Sequence, residues 1–359
     1  MIYAVIMAGG KGERFWPLSS ESRPKQLLPL TSDKSMLGVT IDRVGQYIPP
    51  ERIVIVAGTG ISKAILETCH MLGPQSLLPE PVGRNTCLAI GYAAVHLMKR
   101  DPEAIMIVLS ADHLIEPAEK MVEVFKAGVK LASEDNHLIT IGIVPTRTET
   151  GYGYIELGDE QWQVDGVTVC RVAAFKEKPR PVVAQQYYHD RRHLWNSGMF
   201  IWSAKTILNA MLYCQPEMHA QLMEYSESIG TANEEKARDK LYNEAEAISI
   251  DYAVLEEADN VLTLKGDFLW DDVGSWLSLQ RFKPTDRDNN VVVGRTVTLD
   301  TFESTLYNAG DGIIAAVGIS DVVIAKVGEV VLVAHKTQLG QLKDLLAKMA
   351  ADEDLKKYL

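Results

Sequence analysis

The chain has 359 residues, 47% hydrophobic and 23% charged, enough apolar material for a sizeable core, which excludes a disordered or fibrous protein. Thirty-six basic against 48 acidic residues leave a net charge of −12, which argues against a nucleic-acid binder but allows a local basic pocket for one phosphorylated small molecule. No uncharged run approaches ~18 residues, and Cys69, Cys87, Cys170 and Cys214 are scattered without C-x-x-C spacing, so the expectation is a cytoplasmic protein with reduced thiols and no membrane span.

Ile2 to Met7 follows no basic segment and reads as a buried first strand rather than a signal peptide. Ile53 to Ala57, Ala104 to Leu109 and His137 to Ile143 read as further strands. Between them Met36 to Tyr47, Ile61 to Leu72, Thr86 to Lys99 and Pro117 to Ser133 carry apolar residues at helical spacing. This β-α-β-α series predicts a mostly parallel sheet with helices on both faces, whose ligands lie beyond the carboxyl ends of the strands. From Gly151 the pattern changes. Strands over Tyr152 to Leu157, Thr168 to Phe175 and Met199 to Trp202 mix with helices over Pro181 to His189, Ala204 to Tyr213, Glu217 to Ser228 and Glu234 to Tyr242, read as an insertion elaborating one sheet edge. Val261 to Leu264, then Trp270 to Trp276, close the domain. From Asp286 the chain is β-rich and punctuated by Asp, Asn and Gly until a helix over Thr337 to Leu346, which fits a few coils of a β-solenoid. Its Val- and Ile-rich faces serve either as its own core or as a dimer interface.

Directly after the first strand stands Ala8-Gly9-Gly10-Lys11-Gly12-Glu13-Arg14, continuing to Arg23-Pro24-Lys25-Gln26. The glycines let backbone N–H groups turn toward an anion, and Lys11, Arg14, Arg23 and Lys25 can together neutralise a triphosphate. A Gly-rich turn alone is commonly just a link between strand and helix, but the cation density weighs against that here. The P-loop pattern is absent, and Phe15 stands where the dinucleotide fingerprint needs its third glycine.

Five further stretches run in order along the chain: Glu80-Pro-Val-Gly-Arg-Asn85-Thr86, Ser110-Ala-Asp112-His113, Phe175-Lys-Glu177-Lys178-Pro179, Asn196-Ser197-Gly198-Met-Phe200 and Trp270-Asp-Asp272-Val-Gly274-Ser-Trp276. Together with Gly9-Gly10-x-Gly12-x-Arg14-x-x-Pro17-Leu18 and Arg23-Pro24-Lys25, they resemble the motifs of sugar-1-phosphate nucleotidylyltransferases, and in combination those of the mannose-1-phosphate guanylyltransferases. The resemblance implies an α/β fold. A Rossmann-like, mostly parallel mixed-sheet nucleotidyltransferase domain would span 1–284, and a short left-handed β-helix-like domain with a C-terminal helix 285–359. It implies transfer of GMP from GTP to mannose 1-phosphate with Mg²⁺, in a homodimer with no nucleic-acid or membrane partner. Some bacterial relatives continue into a phosphomannose isomerase domain, which this length does not accommodate, so a single activity is expected.

By the same resemblance Gly9, Gly10 and Gly12 cradle the nucleotide phosphates, Arg14 neutralises the β and γ groups, and Lys25 reaches the α-phosphate. Asp112 and Asp272 hold the metal, with Asp271 an alternative or supporting partner. Glu177 and Asn196 take sugar hydroxyls, Lys178 contacts the sugar phosphate, and Gly153 lets backbone approach the ring. Guanine presents adjacent N1–H and N2 donors, which a carboxylate accepts, so Glu80 is the base-selecting candidate, with Asn85 and Thr86 completing the pocket or starting a helix. Each residue has a plainer reading: a surface lysine for Lys25, a helix N-cap for either Asp or for Asn85, a charged turn for Glu177 and Lys178, a hairpin at Gly153. His189 and His193, at i, i+4 in a charged segment, read as one surface helix rather than a zinc site. The competing functions are another hexose 1-phosphate as acceptor, a catalytically silent regulatory subunit, and, more distantly, a nicotinamide oxidoreductase.

Overall fold

A computed structural model describes residues 1–10 and 12–359; Lys11, one of the loop cations, lies outside the described residues. In chain order the strands are β1 (Ile2–Met7), β2 (Ile53–Gly58), β3 (Leu77–Glu80), β4 (Ile105–Ser110), β5 (Leu114–Glu116), β6 (Leu138–Ile143), β7 (Tyr154–Val164), β8 (Val167–Lys176), β9 (His193–Ser203), β10 (Val261–Gly266) and β11 (Leu269–Asp271), followed by β12 (Val291–Val293), β13 (Thr296–Phe302), β14 (Thr305–Asn308), β15 (Ile314–Ser320), β16 (Val322–Val327) and β17 (Val330–His335). The helices are α1 (Met36–Val44), α2 (Ser62–Thr68), α3 (Asn85–Arg100), α4 (Ala118–Glu134), α5 (Pro181–Asp190), α6 (Ala204–Cys214), α7 (Pro216–Ser226), α8 (Glu234–Glu244), α9 (Leu279–Phe282) and α10 (Leu342–Ala350). The chain forms two compact units, neither continuous in sequence: Met1–Gly9 with Thr40–Ala111 and Ile115–Trp270, and Gly10–Val39 with Asp112–Leu114 and Asp271–Leu359.

The first unit is built on a nine-stranded sheet of order β3-β2-β1-β4-β9-β6-β10-β8-β7. Its β3-β2-β1-β4 and β6-β10 pairs are parallel, while β9 runs antiparallel to both β4 and β6. Strands β7 and β8 occupy the edge expected for the insertion, but β9 lies in the middle of the sheet. The reason is chemical: Leu194, Trp195, Met199, Phe200, Ile201 and Trp202 are buried from both faces, and such a strand belongs in the interior of a sheet. Strand β3 has no counterpart in the sequence reading because Pro79 disguises it; it is an edge strand, where the missing N–H of proline does least harm. Helix α3 lays its long apolar face, from Cys87 to Leu97, into a core shared with α6, α7 and the sheet. Helices α3 to α8 lie within a few residues of the sequence-derived ranges. His193 is the exception. The chain turns at Arg191 (φ 56°), so His193 opens β9, buried and stacked on Tyr187 at 3.8 Å, rather than continuing the helix of His189.

In the second unit parallel pairing stacks Val291 on Thr305 on Val323, and Thr296 on Ile314, giving solenoid coils. The step is fourteen residues from Val291 to Thr305, but eighteen from Thr305 to Val323 and from Thr296 to Ile314, and the eighteen-residue period is carried by the corners. Left-handed backbone recurs at Gly294 and Gly312, at Asp300 and Gly318, and at Glu303 and Asp321. The side-chain amides of Asn290 and Asn308, one period apart, each donate to backbone carbonyls, those of Thr301 and Arg295 respectively. The core of this unit joins Phe15, Trp16 and Leu18 to Trp276, Tyr307, Val323, Leu342 and Leu346, so the segment after the glycine-rich loop packs on the solenoid and α10. No helix among the described residues is long and apolar enough to cross a membrane.

Candidate active site

Strand β1 ends at Met7, and the loop that follows turns through left-handed backbone at Gly10 (φ 93°) and Gly12 (φ 64°). Gly12 is also pressed against the Arg-Pro-Lys element: a Cβ there would stand 2.6 Å from the Lys25 backbone nitrogen. Ser19 Oγ donates to the Gly12 carbonyl at 2.7 Å, fixing the far side of the turn. Arg14, on the short helical turn Glu13–Phe15, is exposed.

Lys25 is buried, which removes the surface-lysine reading. Its ammonium lies 2.8 Å from Asp112 Oδ2 and donates to the Asp272 backbone carbonyl at 2.6 Å. The Asp112 carboxylate and the Asp272 backbone carbonyl therefore meet at one cation, while the Asp272 carboxylate is turned to other partners. Burial pushes the Asp112 carboxyl up, but the charges of Lys25 and His113 outweigh it and hold the group below the usual carboxylate range. Asp271 is engaged otherwise. It is buried, pairs with Arg281 through both oxygens, and accepts from Val273 N at 2.8 Å. Asp272 is half-buried, accepts from Gly274 N at 3.1 Å, and stands 3.8 Å from Arg281. Between these aspartates and Gly274, Val273 holds φ 47°, an unusual conformation for a β-branched residue and a mark of local strain.

In the first unit Glu80, at the end of β3, is buried, and a Cβ on Gly9 would stand 3.7 Å from its Oε2. Burial pushes this carboxyl up to about 7, an effect the facing Tyr242 hydroxyl partly offsets. Arg84 ties the same loop to α8 by donating to the Tyr242 carbonyl at 2.6 Å. Asn85 is left-handed (φ 65°) and accepts from Thr86 N at 2.8 Å, while Arg84 precedes the helix as its cap residue. Thr86 Oγ1 accepts from Ile250 N at 2.9 Å, so its hydroxyl anchors the neighbouring segment.

The remaining predicted residues of this unit form a second cluster. The Glu177 carboxylate pairs with Lys178 at 2.7 Å and lies over Gly153, where a Cβ would come within 2.4 Å of Glu177 Oε2. Gly153 accepts from Asn196 N at 2.8 Å. The Asn196 amide donates to Asp251 Oδ1 at 2.7 Å while its oxygen accepts from Thr140 and from Gly198 N. Asp251 is absent from the sequence-derived set. It opens the π-helical turn Asp251–Leu255, a local irregularity common at functional sites. Desolvation and the like charge of Glu177 push its carboxyl up to about 6. A lone carboxylate in Ser-Ile-Asp-Tyr-Ala-Val carries no spacing signal; only the fold places it beside Asn196.

Residues 3–289 match the family model described as Nucleotidyl transferase, and 294–349 match the MannoseP isomerase/GMP-like beta-helix domain. The chain belongs to the nucleotidyl transferase family. Among its relatives are the mannose-1-phosphate guanylyltransferases of Escherichia coli K12, 33% identical over 98% of this chain and 74% of that protein, and of Salmonella montevideo, 34% identical over 97% and 74%. The solved structure of a protein titled mannose-1-phosphate geranyltransferase, from Thermus thermophilus, is 35% identical and superposes with a TM-score of 0.87 over 97% of this chain and 99% of that one. The clusters above gather glycine N–H donors beside a buried ammonium, and carboxylates beside a side-chain amide.

Proposed function

We propose that the chain transfers GMP from GTP to mannose 1-phosphate. An oxygen of the sugar phosphate attacks the α-phosphorus in line, the bond to the β-phosphate oxygen breaks, and GDP-mannose and pyrophosphate result. The observation that carries this reading is the buried Lys25 ammonium held between Asp112 and Asp272, in a chain whose relatives bear that activity. Lys25 neutralises charge that develops on the α-phosphoryl oxygens. Gly9, Gly10 and Gly12 offer N–H donors to the phosphates, and Arg14 takes the departing pyrophosphate. Glu80 accepts from guanine N1–H and N2, while Asn85 and Thr86 shape the start of α3 beside it. Glu177, Asn196 and Asp251 accept and donate to sugar hydroxyls over the bare backbone of Gly153, and Lys178 holds the sugar phosphate.

The oxygen-only donor set of Asp112 and Asp272 fits a hard cation that retains water, and these two residues would hold Mg²⁺, which when bound supplies charge neutralisation at phosphate oxygens. Asp271, already paired with Arg281, orients the turn instead. The boundary between a catalytic domain over 1–284 and a β-helix-like domain over 285–359 is supported by the two family matches, which end at 289 and begin at 294. Free, mostly buried cysteines support a cytoplasmic site of action. A homodimer is supported by the exposed apolar face of Val297, Leu299 and Val317 on β13 and β15, and light scattering tests it.

The deciding experiment is pyrophosphate release with Mg²⁺ across GTP, ATP, UTP, CTP and dTTP, with mannose 1-phosphate, glucose 1-phosphate or no sugar. Release confined to GTP with mannose 1-phosphate is expected; another productive pair reassigns base or sugar, and silence from folded protein favours a regulatory subunit. Glu80 adds a pH signature. Guanine needs the carboxylate, so the KM for GTP should fall as pH rises through about 7. Stability without nucleotide should move the other way: a carboxyl raised from 4.5 to about 7 favours the folded state at low pH and loses that contribution as pH rises across this window. Glu80→Gln should abolish both trends and narrow the preference for GTP over ATP; persistence of the KM trend would move base recognition elsewhere.

A further inference from the structure

The phosphate loop faces a cavity of about 540 Å³ that it shares with residues from the far end of the chain: Gly10, Gly12, Glu13 and Arg14 line one side, Gly340 and Lys343 the other. Loop and helix belong to one compact unit. Trp16 Nε1 donates to the Tyr358 carbonyl at 2.9 Å, and Phe15, Trp16 and Leu18 share a core with Leu342 and Leu346. These contacts hold α10 against the loop, so Lys343, on its first turn, keeps a fixed relation to Arg14. Lys343 is exposed and makes no ion pair with a described residue, and the same holds for Arg14. Among the described residues, two cations and the glycine N–H groups line one cavity against the carboxylate of Glu13, an arrangement suited to a compact polyanion.

We propose that Lys343 and Arg14 form a pyrophosphate clamp, so that the C-terminal helix supplies part of the nucleotide site. The ligand class is the diphosphate end of a nucleoside triphosphate, or free inorganic pyrophosphate in the reverse reaction. This inference rests on the reading of the glycine loop as the phosphate site. It makes α10 more than an appendage of the solenoid: the helix is one wall of the chamber that pyrophosphate leaves.

The test is steady-state kinetics of the full chain in both directions. With Lys343→Ala, the KM values for pyrophosphate and for GTP should rise about five- to tenfold, as expected when one of two charged contacts to a phosphate is lost, while those for mannose 1-phosphate and GDP-mannose stay within about twofold. Lys343→Arg should restore most of the loss. Unchanged KM values for pyrophosphate and GTP overturn the clamp. So does a uniform loss for all four substrates with a lowered melting temperature, which marks Lys343 as structural. If the wild-type chain proves to use another base or sugar, the substrate reading fails separately, and the shift in KM for pyrophosphate with the productive pair still decides the clamp.

Discussion

Lys25→Ala is expected to lower kcat/KM at least tenfold and toward a hundredfold while the chain still folds. A hydrogen bond to a charged group contributes ~1.5 to 3 kcal/mol, which corresponds to about that range, and the ammonium lost here is buried among the groups that would meet the α-phosphate. The substitution also leaves Asp112 without the cation that keeps its carboxyl low. A carboxylate held below its ordinary range stabilises the folded chain above that range, and the contribution is lost as pH falls. The variant should therefore melt below wild type at neutral pH, with the gap closing in acid. Kinetics and melting curves across pH check both parts, and near-normal turnover from folded protein would remove Lys25 from the site.

Gly12→Ala should be at least as damaging, for a different reason. The new Cβ would meet the Lys25 backbone nitrogen at 2.6 Å and Lys25 Cβ at 2.7 Å, and φ 64° is costly for any residue with a side chain. Relief requires the loop and the Arg-Pro-Lys element to part, which displaces the ammonium together with the Gly10 and Gly12 donors; a loss of about a hundredfold or more in kcat/KM is expected. Gly60→Ala is the control, since nothing stands within 4 Å of a Cβ there and the backbone is ordinary. Equal activity of the two variants would show that the loop tolerates the separation.

The two effects also show what was legible in the residues alone. Asp112 and Asp272 could be assigned to one chemistry because each follows a strand in a recognisable motif, and Lys25 because it belongs to the Arg-Pro-Lys element; the structure brings the Asp112 carboxylate and the Asp272 backbone carbonyl to the Lys25 ammonium. Asp251 was not legible, since its role depends on a π-helical turn and on the Asn196 amide, neither of which leaves a pattern in sequence. Thr86 was read as completing the pocket or starting the helix, and no pattern in the residues announced that its hydroxyl would also accept from Ile250 N. In the fold, apolar runs announced most of the strands, whereas Pro79 concealed β3. The solenoid period stayed hidden because the same left-handed corner is taken by Asp300 in one coil and Gly318 in the next, and by Glu303 and then Asp321. Backbone geometry repeats there while residue type does not.

The central position of β9 bears on how the chain reaches its native state. Strands β1 to β4 can pair as soon as they are made, and β6 follows within a few dozen residues, but their shared partner is completed only at Ser203. Until then β4 and β6 each present an open hydrogen-bonding edge, and the sheet exists at most as separate parts. A chain emerging N-terminus first thus carries unpaired, strongly apolar strand edges for the time needed to synthesise the whole of β7, β8 and α5. Slowing translation before β9 should lengthen that interval.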